Sequence, residues 1–185
     1  MTTRYDPTSN DEWLVSGAPS GLRAQSIRAL DCNADLAALT TAVMTSVALP
    51  LQVGDLVTNL TFKSGATAGD TLSNWWFALY SPTGALLAQT ADQTSTAWAA
   101  NTVKTLALTT PQRVAAAGVH YAAVMVKAST VPTLIGASVG IAGASASILS
   151  SKILAQTSGS GLTDTAPATI ATPTAVATVP FCVAT

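Results

Sequence analysis

The sequence predicts an all-β protein: an antiparallel β-sandwich, jelly-roll-like, over residues 26–185, with an extended N-terminal arm over residues 1–25. Three observations lead there. Apolar residues alternate with polar ones, or run on without a helical period, in short segments. Turn residues punctuate those segments at short intervals, the rhythm of sandwiches and barrels. Finally, only 9% of residues are charged and 5% aromatic while 49% are hydrophobic. Ala, Val, Thr, Ser and Gly therefore dominate, and these suit close-packed, tightly turned β-structure. A chain of 185 residues can bury a core as one domain.

The stretch that organises the chain is Asn74-Trp75-Trp76-Phe77-Ala78-Leu79-Tyr80, followed by Ser81-Pro82-Thr83-Gly84 and Ala85-Leu86-Leu87-Ala88-Gln89-Thr90. It reads as a β-hairpin: Pro82 presets an early turn position and Gly84 supplies positive φ. In an extended chain Trp75, Phe77 and Leu79 point one way and Trp76, Ala78 and Tyr80 the other. Both faces are bulky, so both are expected to be covered, one by a second sheet and one by a loop or partner.

Taken in order, residues 1–25 hold much of the charge (Arg4, Asp6, Asp11, Glu12, Arg23) and one apolar anchor, Trp13-Leu14-Val15. They read either as a flexible tail or as an arm that docks on a neighbouring subunit. Residues 26–30 alternate and predict a strand. In residues 35–47, Leu36, Leu39, Val43 and Met44 have helical spacing, but Thr40, Thr41 and Thr45-Ser46-Val47 favour strand, and β is preferred. Residues 49–55 predict a strand end and turn. Residues 56–62 predict a strand with Leu56, Thr58, Leu60 and Phe62 on one face. A Gly/Ser/Thr loop leads to the hairpin, and residues 92–101 predict a polar loop around Trp98. Residues 102–109 alternate, Pro111 to Gly118 predicts a turn, and residues 119–127 predict a strong strand. Residues 161–180 look disordered by composition, yet Phe181-Cys182-Val183 predicts a return to the sheet.

Composition also excludes partners. A formal net charge of −1 offers no basic stripe for nucleic acid. The apolar stretch 131–154 is broken by Pro132, three glycines and several serines, so no membrane helix is expected. Residues 1–7 lack the apolar core of a signal peptide, which predicts a protein made in a cytoplasm that does not leave it by a recognisable N-terminal signal. Cys32 and Cys182 lack metal or redox spacing and read as free thiols.

No catalytic constellation emerges. His120 sits in a predicted strand without a nucleophile elbow and reads as a hydrogen-bonded structural histidine. Asp55, Asp70, Asp92 and Asp164 lie in turn contexts, where carboxylates cap backbone N–H groups rather than pair for acid–base work or calcium. No metal and no cofactor are expected. Trp75, Trp76 and Trp98 could form a sugar-stacking platform, but core packing explains the first two. Trp98 remains the candidate ligand contact.

The residues Asn74 to Tyr80, Leu86-Leu87-Ala88-Gln89-Thr90-Ala91-Asp92, Thr96-Ala97-Trp98 and Val124-Met125-Val126-Lys127-Ala128 together resemble small β-sandwich virion proteins of tailed bacteriophages, especially those infecting actinobacteria. The resemblance spans residues 49–136. It implies a structural, non-enzymatic role on the outer surface of the particle, as capsid decoration, head fibre or minor tail protein. On that reading the partners are the major capsid protein and copies of this chain, as a homo-oligomer of trimeric type, with Arg4, Tyr5, Trp13, Leu14 and Arg23 as partner-binding residues. The alternative is a minor tail or receptor-binding module that recognises a host surface glycan through Trp98.

Overall fold

The computed structural model describes residues 21–138 and 153–185. Arg4, Tyr5, Trp13 and Leu14 lie outside them. The strands are β1 (Ala24–Gln25), β2 (Ala34–Asp35), β3 (Met44–Leu51), β4 (Leu56–Lys63), β5 (Asn74–Tyr80), β6 (Leu86–Gln89), β7 (Val103–Arg113), β8 (Gly118–Lys127), β9 (Ile135–Ser138), β10 (Ala155–Ser158), β11 (Thr174–Ala175), β12 (Thr178–Pro180) and β13 (Cys182–Ala184). Among the described residues the helical content is a single 3-10 turn, Ala29–Asp31.

Two antiparallel sheets form the sandwich. One runs β1-β13-β4-β7, the other β11-β10-β3-β8-β5-β6, and β12-β9-β2 makes a small third sheet. The antiparallel pairs nest. The hairpin β5·β6 is innermost, and around it lie β4·β7, β3·β8, β2·β9 and finally β1·β13. The predicted hairpin is thus the centre of the nest in sequence. In space it lies at one edge of the six-stranded sheet, because β6 has no further strand beside it. At the tip, Gly84 adopts φ +82 and its N–H bonds Ser81 O at 2.9 Å, the positive φ that a turn residue without Cβ supplies.

The alternation of β5 is realised on both sides. Trp75, Phe77 and Leu79 join the core between the sheets with Val47, Leu49, Leu60, Phe62, Val124 and Val126. Trp76, Ala78 and Tyr80 join a second cluster on the far side with Met44, Tyr121, Met125 and Ala166. All six β5 residues are completely buried. The far side is covered by residues 162–170, the stretch that composition alone marks as disordered.

Several local expectations change. Residues 26–30 do not form a strand. Ser26 Oγ accepts from Cys182 N (2.9 Å) and donates to Pro180 O (2.8 Å), and the chain then turns through the 3-10 segment. Residues 35–47 are neither helix nor one strand: β structure stops at Asp35 and restarts at Met44, with Ala42 at φ +56 between them. In β4, a bulge between Val57 and Asn59 shifts the alternation. Val57 is buried with Leu60 and Phe62, while Leu56 and Thr58 are only partly so. Strand β7 continues through Pro111 to Arg113, past the expected turn. It is an edge strand, where a residue without N–H costs the ladder nothing. Finally, Ala24–Gln25, assigned by sequence to the arm, pair with β13 as the sheet edge.

Candidate functional site

The aspartates serve the fold first. Asp55 Oδ2 accepts from Gln52 N (2.8 Å), Asp70 Oδ1 from Thr71 N (2.8 Å), and Asp92 from Trp75 N and Asn74 Nδ2 (2.9 Å each). Asp164 Oδ1 accepts from the Thr163 and Thr165 hydroxyls. Asp55, Asp70 and Asp92 thus take the backbone-capping role expected of them, whereas Asp164 is held by neighbouring hydroxyls. Asp35, which the sequence did not single out this way, closes a loop by accepting from Ala66 N at 3.0 Å. Among the described residues no three His, Cys, Asp or Glu side chains gather as a metal site would require. Cys32 and Cys182 are free thiols. Cys182 is buried, and loss of solvation pushes its thiol well above the ordinary range; Cys32 is half-buried and raised for the same reason.

Trp98 is not the exposed loop residue expected from its alanine neighbours. It is completely buried. Its ring stacks on Trp75 at 4.9 Å between centroids and meets Phe77 at 5.7 Å. The loop carrying it folds back over the sandwich mouth, tied by Trp75 Nε1 to Thr96 O (2.9 Å) and by Lys104 Nζ to Ala97 O (2.8 Å). Its own Nε1 has no partner among the described residues. Trp98 therefore presents no face on which a sugar could stack, and Trp75 and Trp76 are equally enclosed.

Two clefts flank the hairpin tip. One, of about 190 Å³, is lined by Thr83, Tyr121, Ile153, Gln156, Ile170 and Pro173. The other, of about 160 Å³, is lined by Ser81, Leu87, Arg113, Val114, Ala116 and His120 among others. His120 is buried and its Nδ1 lies 3.2 Å from Gly118 O, so the backbone fixes the ring in the cleft wall. Arg113 Nη1 donates to Gly54 O at 2.9 Å. Neither cleft pairs a nucleophile with a base.

Of the partner-binding residues expected from the sequence, Arg23 alone is described. It is exposed at the sheet edge, with its backbone N–H on Ala184 O (2.9 Å) and its Nε on Leu56 O (3.3 Å). Leu56 is the ladder partner of Arg113. Arg23 and Arg113 therefore both border Leu56, at the end of the sandwich that carries the His120 cleft. Sequence reasoning missed Arg113 because it ends a strand that was expected to stop earlier.

The outer face of the β1-β13-β4-β7 sheet is the other extended surface. Cross-strand register places Gln25, Val183, Thr61 and Thr105 in one row, with Asn59 and Ala107 on one side and Lys63 and Val103 on the other. Lys63 is the one charged group among these. Val103 is 58% exposed. No protein-family model matches the chain, and no curated protein matches it.

Proposed function

We propose that this chain is a structural protein of a tailed-phage particle, a capsid decoration protein whose copies, as trimers, attach to the lattice of the major capsid protein through the N-terminal arm. The observation that carries the structural half of this reading is the outer face of the β1-β13-β4-β7 sheet. Nearly uncharged and built of Thr, Val, Ala, Asn and Gln, it suits contact with other protein, where charged groups are depleted. The phage half rests on the sequence resemblance. The strand order supports reading the sandwich as a jelly roll, since β1-β13-β4-β7 and β3-β8-β5-β6 follow from winding up one nested hairpin. Attachment would bury apolar area at ~25 cal/mol per Å² and needs no cofactor or catalytic step.

The glycan-binding alternative has lost its contact residue, since Trp98 is enclosed. The test is incubation of undecorated particles with the full chain and with a variant lacking residues 1–20, which keeps β1 whole, followed by cryo-EM reconstruction. Density on the capsid from the full chain, absent with the truncated one, supports the reading. Full occupancy without the arm overturns arm attachment, and density confined to the tail overturns the decoration role.

A further inference from the structure

We propose that the His120 cleft binds a phenolic ring, whose hydroxyl bridges His120 and Arg113 while its carbon body lies against Leu87 and Val114. The cleft draws its lining from both sheets: Leu87 and His120 come from β6 and β8 of one, Arg113 from β7 of the other. Along β8, the side chain of His120 shares a face with Ala122 and Val124 of the core between the sheets. At the opposite end of β5 that core is closed by the ring of Trp98, stacked on Trp75 at 4.9 Å. Among the described residues, no aromatic ring lines the His120 end.

Two polar groups of this lining are left with hydrogen-bonding capacity, and they are complementary. Gly118 O can only accept, so its 3.2 Å contact with His120 Nδ1 places the proton on that nitrogen. In the neutral ring Nε2 is then an acceptor. No described residue donates to it, although His120 is only 3% exposed, and the surface that His120 does present belongs to the cleft wall. Arg113 is the donor. Its Nη1 bonds Gly54 O at 2.9 Å, it has no carboxylate partner among the described residues, and its other N–H groups remain. The other polar side chains of the lining are engaged locally: Ser81 Oγ pairs with the Thr83 hydroxyl and accepts from Ala85 N, and Gln112 Nε2 donates to Thr110 O.

The ligand must therefore donate to one group and accept from the other, and a hydroxyl does both at a single oxygen. A carboxylate would set a lone pair against the lone pair of Nε2, and an ammonium would meet the charge of Arg113. Leu87, Val114 and Ala116 require hydrocarbon for the rest. The cleft volume of about 160 Å³ fits a single ring, since a cavity of roughly 150 Å³ holds benzene. An aromatic hydroxyl is also a stronger donor than an aliphatic one, because its proton is more acidic. Such a ring arrives either as a free phenol or as the tyrosine side chain of another protein. The site goes beyond the virion reading and does not rest on it.

NMR of the imidazole tests it, because His120 is the chain's single histidine. In the free protein the nitrogen spectrum should place the proton on Nδ1. Adding p-cresol should shift the His120 signals along a curve that saturates at roughly millimolar ligand, the scale for so small a molecule. Toluene, the same shape without the hydroxyl, should bind at least about tenfold more weakly, because Nε2 is then covered without a partner. The p-toluate anion should be at least as weak as toluene. Arg113→Met, which keeps the stem and removes the fork, should weaken p-cresol about three- to tenfold. Ala116→Trp, at an exposed position of the rim, should abolish binding without touching the core. N-acetyltyrosinamide binding as tightly as p-cresol assigns the ring to a partner's tyrosine, and binding of p-cresol alone assigns it to a free phenol; either supports the site. A proton on Nε2, shifts that never saturate, toluene or p-toluate equal to p-cresol, or binding that survives Ala116→Trp overturns the proposal.

Discussion

The two faces of β5 are buried equally and by different chemistry. On one side Phe77 and Leu79 meet another sheet through apolar and aromatic contacts, with Phe62 and Phe77 4.7 Å apart between centroids, while Trp75 meets the Trp98 loop and donates its Nε1 to Thr96 O (2.9 Å). On the other side Trp76 and Tyr80 meet a loop. Here Trp76 Nε1 donates to Thr163 O (2.7 Å), Tyr80 Oη to Pro167 O (2.8 Å), and Gln89 both donates to Asp164 O (3.1 Å) and accepts from Ala166 N (2.7 Å). A sheet arrives with its backbone groups already paired, whereas a loop brings unpaired carbonyls that cost free energy when covered. The face beneath a loop must therefore supply donors, and Trp and Tyr carry theirs at the end of a large apolar body. Whether a face is covered by sheet or loop is thus written into the choice between Phe and Trp or Tyr.

The largest expected effect lies on the sheet-covered face. Phe77→Ala removes the ring that touches Phe62, Trp75 and Trp98 and should cost about 3–5 kcal/mol of global stability in urea unfolding. A loss below about 1 kcal/mol would mean that the inter-sheet core is not continuous there. Trp76→Phe, on the loop-covered face, should cost less, about 1–3 kcal/mol, mainly through the stranded Thr163 carbonyl. Its signature is local: hydrogen exchange should speed up at Leu162, Ala166 and Ile170, whose N–H groups bond Ala42 O, Gln89 Oε1 and Gly84 O, while the β4·β7 ladder stays protected. Uniform acceleration would erase the distinction between the faces.

A pH titration sharpens it further. Burial pushes the Tyr80 hydroxyl upward from 10.0, the Tyr121 hydroxyl in the same direction, and the Cys182 thiol upward from 9.0. The unfolded chain releases these protons first, so their contribution is intact below pH ~9 and falls as pH rises beyond the ordinary values. Tyr80→Phe should flatten the decline above pH ~10 and cost about 1 kcal/mol at neutral pH through the lost bond to Pro167 O. A decline as steep as in the wild type would place the titration elsewhere. Smallest of all, Asp31→Asn breaks the exposed ion pair with Arg28 (2.8 Å), which holds the Asp31 carboxyl below its usual range. The thermal midpoint should not move measurably, because both groups remain solvated.

What the sequence disclosed follows the same division. The two-sided character of β5, the hairpin turn and the return of residues 181–183 to the sheet are local patterns and were legible. The β4 bulge was not, because one extra residue reverses a period-two pattern without leaving a composition signal. The covering loop was read as disordered because its order comes from Trp76, Tyr80 and Gln89, more than 70 residues earlier. Trp98 misled for a related reason. Its flanking alanines signal exposure, but the loop is held down by Trp75 and Lys104 from two other strands. The His120 cleft was invisible since it joins Leu87, Arg113 and His120 across three strands.

The nested pairing has a consequence for the order in which the molecule is made. Ribosomes deliver β5 and β6 together, then β7 to meet the waiting β4, then β8 to meet β3, so each layer can close as it emerges. The edge strand β1 waits longest, because its partner β13 is the last strand delivered. Until then Ala24–Gln25 and the β4 edge from Leu60 to Phe62 stand unpaired during synthesis, the kind of transient exposure that invites association between nascent chains.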